Sequence, residues 1–145
     1  MIRLETVTPD NWRINIGVSD DQKEYVLDRV GMLARAYAYR DSRSQVFYIY
    51  DDDTPVGMAM YCDADEWETY ELSQFFIDQR YQRRGYAFKA MELILEKMKE
   101  DGKFDKVELC YIEGDEAAKN LYEKLGFYPN GRKWEDEIGM EKMLR

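Results

Sequence analysis

The residues best suited to do chemistry lie between positions 75 and 88, where an apolar segment leads into the start of a helix. A helix begins with unpaired backbone N–H groups and a partial positive charge, so its first turn suits a phosphate. Gly85 lets the backbone approach such a group closely, and Ala87 is nearly as small. Arg83 and Arg84 add positive charge. The same turn is also typical of an ordinary strand-to-helix connection, so its meaning depends on what accompanies it.

A second segment, residues 120–127, places Leu121 and Leu125 on one helical face, where we expect core residues. Tyr122 lies beside that face, and by itself it fits a packing residue better than a catalyst. The chain contains no histidine, which excludes His-based triads and argues against most zinc sites. Acid–base chemistry must therefore come from Tyr, Asp, Glu, Lys, Cys or water.

The elements that position these segments can be predicted from periodicity. Residues 2–8 predict a first strand, and residues 45–50 and 56–61 predict a hairpin. Residues 67–78 predict a long strand whose alternation fails around 72–75; a β-bulge and a strand end buried on both faces explain that failure equally well. A capping box at residues 19–22 predicts a helix, and its apolar face holds Val26, Leu27, Val30, Leu33, Ala34 and Tyr37.

The second half of the chain alternates helices and strands. A helix follows from Ala87 to Asp101, and its buried stripe is Ala87, Ala90, Met91, Ile94, Leu95 and Met98. Residues 105–111 predict a strand, and a short helix runs between an Asp115 N-cap and Gly126. Residues 127–143 predict a final β pair, with candidate turns at Asn130-Gly131 and Glu135-Asp136.

This order of elements predicts one α/β domain over residues 1–145. Its central sheet is mixed and flanked by helices, and the β-α-β-α portion forms right-handed parallel crossovers. No apolar run is long enough to span a bilayer, and the first residues lack a secretion signal, so we expect a cytoplasmic protein. A disulfide between Cys62 and Cys110 is possible on paper, but two reduced core thiols fit that compartment better. The net charge of −9 argues against nucleic acid as a partner.

Taken together, the two segments resemble the GNAT superfamily of N-acetyltransferases. The family's pyrophosphate-binding turn matches Gln82, Gly85 and Ala87, and its L-Y-x-K-x-G-F segment matches residues 121–127. The resemblance implies the GNAT fold, transfer of an acetyl group from acetyl-coenzyme A to an amine, no metal, and Tyr122 as the acid that protonates the departing thiolate. It also implies a set of coenzyme-binding residues, namely Phe75, Phe76, Ile77, Gln82, Arg83, Arg84, Gly85, Tyr86, Ala87, Phe88, Asp115 and Lys124.

A narrower resemblance, to bacterial spermine/spermidine acetyltransferases, covers mainly the N-terminal third. The residues that carry it are Asn11-Trp12, Val18, Gln22, Tyr25-Val26, Ala36-Tyr37, Phe76-Ile77-Asp78 and Tyr81-Gln82. It implies a polyamine as the small-molecule substrate, with neither nucleic acid nor membrane as a partner, and it allows a homodimer. The acids expected to hold the distal ammonium groups are Asp63, Asp65, Glu66, Glu68 and Glu71, with Trp67 and Tyr70 along the methylenes.

Two departures from the family pattern leave roles open. Asp115 stands where the family often has asparagine; its carboxylate either accepts from a pantetheine amide or caps the helix, and we favour the cap. Ser73 stands where one polyamine-acetylating branch has a glutamate base, with Glu71 two positions earlier. Glu71, acting through water, is our candidate base. Another amine (an amino acid, an antibiotic or a protein N-terminus) and a non-catalytic acyl-coenzyme A-binding module remain alternatives.

Overall fold

The computed structural model describes residues 1–23 and 27–145 and contains strands and helices in alternation. The helices are α1 (Arg29–Ala38), α2 (Tyr86–Asp101) and α3 (Glu116–Lys124). The strands are β1 (Ile2–Thr6), β2 (Gln45–Asp51), β3 (Thr54–Ala64), β4 (Thr69–Ile77), β5 (Lys106–Ile112), β6 (Tyr128–Trp134) and β7 (Glu137–Met143).

All of these strands join one sheet in the order β1-β2-β3-β4-β5-β7-β6. β4 and β5 run parallel, and the other recorded pairs are antiparallel. The mixed α/β sheet flanked by helices is thereby confirmed. The turn between β6 and β7 falls at Glu135-Asp136, whereas Asn130-Gly131 lies inside β6 at a register irregularity rather than at a chain reversal.

The first helix differs from its prediction. It begins at Arg29 rather than near Ser19, because the Asp28 side chain caps it by accepting from the Gly31 amide at 2.6 Å. Ser19 precedes only a short 3₁₀ turn and makes no side-chain cap bond there. Met32 and Ala36, one turn apart, are the buried residues of α1. Of the predicted apolar face, Leu33 is half-buried, Leu27, Val30, Ala34 and Tyr37 are exposed, and Val26 lies outside the described residues. Tyr25, which belongs to the narrower resemblance, also lies outside them.

The second helix follows its prediction closely. It ends at Gly102, whose φ of 74° is in the left-handed region that favours glycine. Its buried residues are Ala90, Met91, Ile94, Leu95 and Met98, which pack in the main core with side chains from β2 to β5. None of the described helices has the length and apolarity needed to cross a membrane.

The sheet splits at its centre. β4 and β5 pair from Tyr70 opposite Val107 to Leu72 opposite Leu109, and beyond that point the ladder stops. On the other side of β4, Met60 pairs with Gln74 but Tyr61 pairs with Leu72. Ser73 is therefore the extra residue of a β-bulge, which confirms the first of the two explanations for the broken alternation. The backbone after Leu72 has no strand partner on the β5 side within the described chain.

An ion-pair network closes the opposite end of this strand pair. The buried Asp63 accepts from Arg43 at 2.6 Å and from Lys103 at 2.8 Å. Asp101, at the end of α2, accepts from Arg43 at 2.9 Å and from the Tyr70 hydroxyl. The Arg43 guanidinium, with help from Tyr70, holds the pKa of Asp101 well below its ordinary value.

We predict that Asp101→Asn lowers the free energy of unfolding by about 1.5–3 kcal/mol at pH 7, the usual worth of a charged hydrogen bond. Because the folded-state pKa is depressed, this stability is present above the unfolded-state pKa and is lost as the pH falls. The difference in the free energy of unfolding between wild type and variant should therefore shrink below about pH 4. Urea denaturation at several pH values measures it. Asp105→Asn, at an exposed ion pair with Arg145, is the control. If the two proteins have equal free energies of unfolding at pH 7, or differ by a constant amount down to acid pH, Asp101 does not have this role.

Candidate active site

The turn before α2 is held in place by a glutamine. The Gln82 side-chain amide donates to the Ile77 carbonyl at 2.8 Å and to the Gln22 side-chain oxygen at 2.8 Å. These bonds tie the turn to the end of β4 and to the segment before α1. Gly85 then caps α2 with a φ of 80°, a conformation in which other residues are strained. A Cβ at Gly85 would meet nothing within 4 Å, so the space beside the start of α2, where backbone N–H groups lack helical partners, is open at this residue.

A cavity of about 620 Å³ lies at this helix start, and we refer to it as the α2 cavity. Of the predicted coenzyme-binding residues, Arg84 does not line it; the Arg84 guanidinium instead lies 5.6 Å from the centre of the Tyr81 ring. Sequence reasoning did not assign Ala117, Ala118, Asn120 and Leu121, which also line this cavity from α3. The predicted residues that do line it are Phe75, Phe76, Ile77, Gln82, Arg83, Gly85, Tyr86, Ala87, Phe88, Asp115 and Lys124.

A second cavity, of about 570 Å³, lies where β4 and β5 diverge, and we refer to it as the split cavity. The bulge residue Ser73 and the acid Glu71 line it from β4, and Glu108 lines it from β5. The α2 cavity and the split cavity share wall residues, so they adjoin inside the protein. The shared residues are Phe75, Asp115, Ala118 and Tyr122.

Tyr122 stands at the junction of the two cavities. Its side chain is 8% exposed and packs against Phe127, with ring centres 5.8 Å apart. Burial raises the pKa of Tyr122 well above the ordinary value, and the negative charge of Asp115 adds to the rise. The hydroxyl therefore stays protonated at neutral pH, as a proton donor must before the reaction.

Asp115 caps α3. Its Oδ1 accepts from the Ala118 amide at 3.2 Å, which confirms the capping interpretation. The same residue lines both cavities, so a contact with a bound ligand is compatible with the cap.

The acid Glu71 lies beside a buried thiol. It is opposite Glu108 in the register of β4 and β5, and the Cys62 thiol lies 3.9 Å from its Oε2. Burial, followed by the charge of Glu71, raises the pKa of Cys62 to about 11. Desolvation likewise raises the pKa of Cys110 to about 11, although its side chain is partly exposed on β5, which corrects the prediction of two core thiols. Both thiols stay protonated at neutral pH and are poor nucleophiles.

The predicted set of acids around the cavity needs correction. Asp63 is buried in its pairs with Arg43 and Lys103, and Asp65 is paired with Lys103 at 3.0 Å. Of the predicted acids, Glu66 and Glu71 line the split cavity. Among the predicted aromatic residues, Trp67 lines it, whereas Tyr70 is fully buried and donates to Asp101. Strand alternation cannot separate these cases, since ion pairing with distant residues decides which acids are removed from the cavity.

Other residues of the split cavity were not singled out from the sequence. Arg35 reaches it from α1 and Arg132 from β6, while Glu108 and Glu137 supply further carboxylates. Alternation on β5 could have pointed to Glu108, but no sequence signal brings Arg35 or Arg132 to this place. The described residues contain no group of three or more potential metal ligands.

Comparison with known proteins identifies relatives over most of the chain. The model of the Acetyltransferase (GNAT) family matches residues 7–127. The spermine/spermidine N(1)-acetyltransferase of Bacillus subtilis (strain 168) is 28% identical over 142 residues, which covers 90% of this chain and 90% of that protein.

Solved structures share the fold. The spermidine N-acetyltransferase from Vibrio cholerae, in complex with CoA and spermine, matches with a TM-score of 0.79 at 16% identity, over 99% of this chain and 95% of that one. An acetyltransferase from Thermus thermophilus matches with a TM-score of 0.80 at 16% identity, over 98% and 96% of the two chains. At these identities the likeness shows the fold alone.

We predict that Gly85→Asp weakens coenzyme A binding at least about tenfold, because it places a negative charge at the helix start that suits a phosphate. Isothermal titration calorimetry measures the affinity. Gly131→Asp is the matched control, since Gly131 also has a positive φ (84°) and open space around its Cα but lies in β6. Equal affinity in Gly85→Asp and wild type would show that the coenzyme phosphates bind elsewhere.

Proposed function

The chain belongs to the Acetyltransferase (GNAT) family, and we propose that the amine it acetylates is a polyamine such as spermidine or spermine. The enzyme is an acetyl-coenzyme A-dependent N-acetyltransferase. The observation that carries the proposal is the junction of two cavities at Tyr122, one at a helix start and the other lined by carboxylates. The relative from Bacillus subtilis, named as a spermine/spermidine N(1)-acetyltransferase, supports the same substrate class.

The α2 cavity fits acetyl-coenzyme A. The first N–H groups of α2 and the side chain of Arg83 suit its pyrophosphate, and Gly85 keeps the approach open. The unpaired edge of β4 beyond Leu72 offers backbone groups to the pantetheine amides. Asp115 has one carboxylate oxygen left over from its cap for the same arm. When bound, acetyl-coenzyme A supplies an acetyl thioester whose sulfur leaves as a thiolate.

The amine must lose a proton before it attacks, since an alkylammonium has a pKa of about 10.4. Glu71 is our proposed base, acting through a water molecule. It lies in the split cavity, on the same strand as the bulge residue Ser73 and as Phe75, which is part of the wall that both cavities share. The protonated Cys62 beside it is compatible with direct attack by the amine rather than a covalent enzyme intermediate.

The negative charge that develops on the thioester oxygen during attack needs a hydrogen-bond donor. The β4–β5 ladder ends at Leu72, so the β4 backbone beyond it, next to the Ser73 bulge, has no β5 partner in the described chain and can supply main-chain N–H groups. Such fixed donors stabilise an oxyanion without reorganising. Tyr122, protonated because it is buried, gives its proton to the departing sulfur.

The split cavity has features that a polycation needs. Its carboxylates can hold ammonium groups that are not reacting, and Trp67 offers a ring face to a cation or to methylene groups. The carboxylates that line it are Glu66, Glu71, Glu108, Asp115 and Glu137.

An amine that also bears a carboxylate is the second candidate acceptor. Arg35 lines the split cavity, and its Nε is buried without a hydrogen-bond partner among the described residues. A guanidinium in that position would recognise a carboxylate. An amino acid would place its amine and its carboxylate on opposite sides of the cavity.

We also propose a cytoplasmic location, since Cys62 and Cys110 are unpaired thiols, as is usual in reducing compartments. The exposed apolar side chains of Val30 and Tyr37 on α1, and of Leu27 just before it, support our proposal of a homodimer.

We predict that Tyr122→Phe lowers kcat about 10²-fold or more when chemistry limits turnover, the usual range for acid catalysis. Coenzyme affinity should change little, because the lost hydroxyl acts mainly in the transition state. Thiol release and calorimetry measure the two quantities. Tyr128→Phe, an exposed tyrosine that lines neither cavity, is the control. Turnover of Tyr122→Phe at the wild-type level removes Tyr122 from the acid role.

We predict that kcat/KM for spermidine exceeds that for n-butylamine at least about tenfold, since one charged hydrogen bond to a distal ammonium suffices for that ratio. The preference should fall as salt rises, because ions screen the attraction of a multivalent cation. Thiol release across a panel of spermine, spermidine, n-butylamine and amino acids measures it. Equal use of spermidine and n-butylamine rejects the polyamine, and preference for an amino acid favours the second candidate.

A further inference from the structure

Arg132 lines the split cavity and is held there as a cation by two contacts. Its guanidinium carbon lies 3.7 Å from the centre of the Trp67 ring. One of its amino groups donates to Glu108 Oε2 at 2.9 Å. The Arg132 side chain is 26% exposed and that of Glu108 is 11% exposed, so the pair is largely removed from water.

The backbone of β6 is shaped to deliver this side chain. β6 is separated from β5 by β7, so Arg132 has to reach across β7 to contact Glu108. It lies against Gly139 of β7, where a Cβ would be 3.3 Å from the Cβ of Arg132 and 3.2 Å from its carbonyl oxygen. The β6 register shifts between Pro129 and Lys133, and the Arg132 amide donates to the Asn130 side chain at 3.0 Å. The absence of a side chain at Gly139 and the register shift in β6 thus make room for the Arg132 side chain.

The Arg132 guanidinium lies between an indole ring and a carboxylate, two groups that bind cations. An indole face attracts cations, and a buried carboxylate requires a positive partner. Glu108 is shared between two cations: its Oε2 accepts from Arg132, and the Lys106 ammonium lies 3.3 Å from its Oε1, which has no hydrogen bond of good geometry among the described residues. A substrate ammonium would meet the same ring and the same carboxylate.

We propose that Arg132 competes with the acceptor from within the protein. Its guanidinium holds the position on Trp67 and Glu108 that the distal cation of a polyamine takes. This inference rests on the proposed polyamine function. A monoamine has only the nitrogen that reacts, so it has no second cation to place on Trp67 and Glu108. A polyamine reaches this position and displaces the Arg132 guanidinium. Arg132 therefore sets the binding penalty that the second cation of an acceptor must overcome, and it determines selectivity between monoamines and polyamines.

Arg132→Gln in the full chain tests the inference, because it removes the charge and keeps a polar side chain. The KM for spermidine should fall roughly three- to tenfold, because its distal ammonium no longer has to displace a guanidinium from one cation–π contact and one charged hydrogen bond. The ratio of kcat/KM for spermidine to that for n-butylamine should rise by the same factor. Lys133→Gln is the matched control: it removes the same charge from the next residue, whose ammonium pairs with Glu113 at 3.0 Å.

A spermidine KM that rises or stays constant in Arg132→Gln overturns the inference and makes Arg132 a fixed part of the cavity wall. Thermal unfolding of each variant shows whether it is folded. If Arg132→Gln does not fold, Arg132→Lys decides: it keeps the charge but loses the planar stack, so its KM for spermidine should also fall, by a smaller factor. A wild type without preference for spermidine over n-butylamine rejects the proposed function and this inference together. A preference that Arg132→Gln does not strengthen rejects this inference alone.

Discussion

The separation of β4 from β5 is the constraint on which the site depends. Two parallel strands that pair only as far as Leu72 and Leu109 leave a gap in the middle of a sheet, where main-chain groups lose their partners. A buried edge of that kind costs free energy unless a ligand or water binds it. Both cavities open at this gap, and α2 and α3 bring Gly85 and Tyr122 to its two sides. The Ser73 bulge belongs to the same irregularity.

Electrostatics divides the strand pair into two ends with different roles. At the paired end, Asp63 and Asp101 are neutralised by Arg43 and Lys103, so their charges support the fold. At the open end, the carboxylates of the split cavity outnumber the arginines, and Glu108 among them is paired with Arg132 and Lys106. Acids with fixed counter-ions thus support the fold, and on our proposal the cavity acids that have no ion pair among the described residues serve recognition.

Much of the architecture could be predicted from the sequence, because its signals are local. The α2 stripe and the Asp115 cap each follow from spacing or from a single residue type within a few positions, whereas the broken alternation around Ser73 indicated a bulge only as one of two equal explanations. The predicted start of α1 was wrong, because Asp28 rather than Ser19 caps the helix and the tertiary packing of Met32 decides which face is buried. Long-range contacts also account for the errors at the site. Lys103 removes Asp63 from the cavity, and Arg132 enters it across a strand that is distant from Trp67 in sequence.

The most direct test of this account is a crystal structure with a bisubstrate analogue, in which spermidine is joined to coenzyme A through an acetyl linker. Such a molecule must pass from one cavity to the other. The account predicts its sulfur within about 3.5 Å of the Tyr122 hydroxyl. It also predicts the linker carbonyl at the Ser73 bulge and the polyamine chain between Glu71 and Glu108. A conjugate whose sulfur is distant from Tyr122, or whose polyamine chain leaves the gap between β4 and β5, would contradict it.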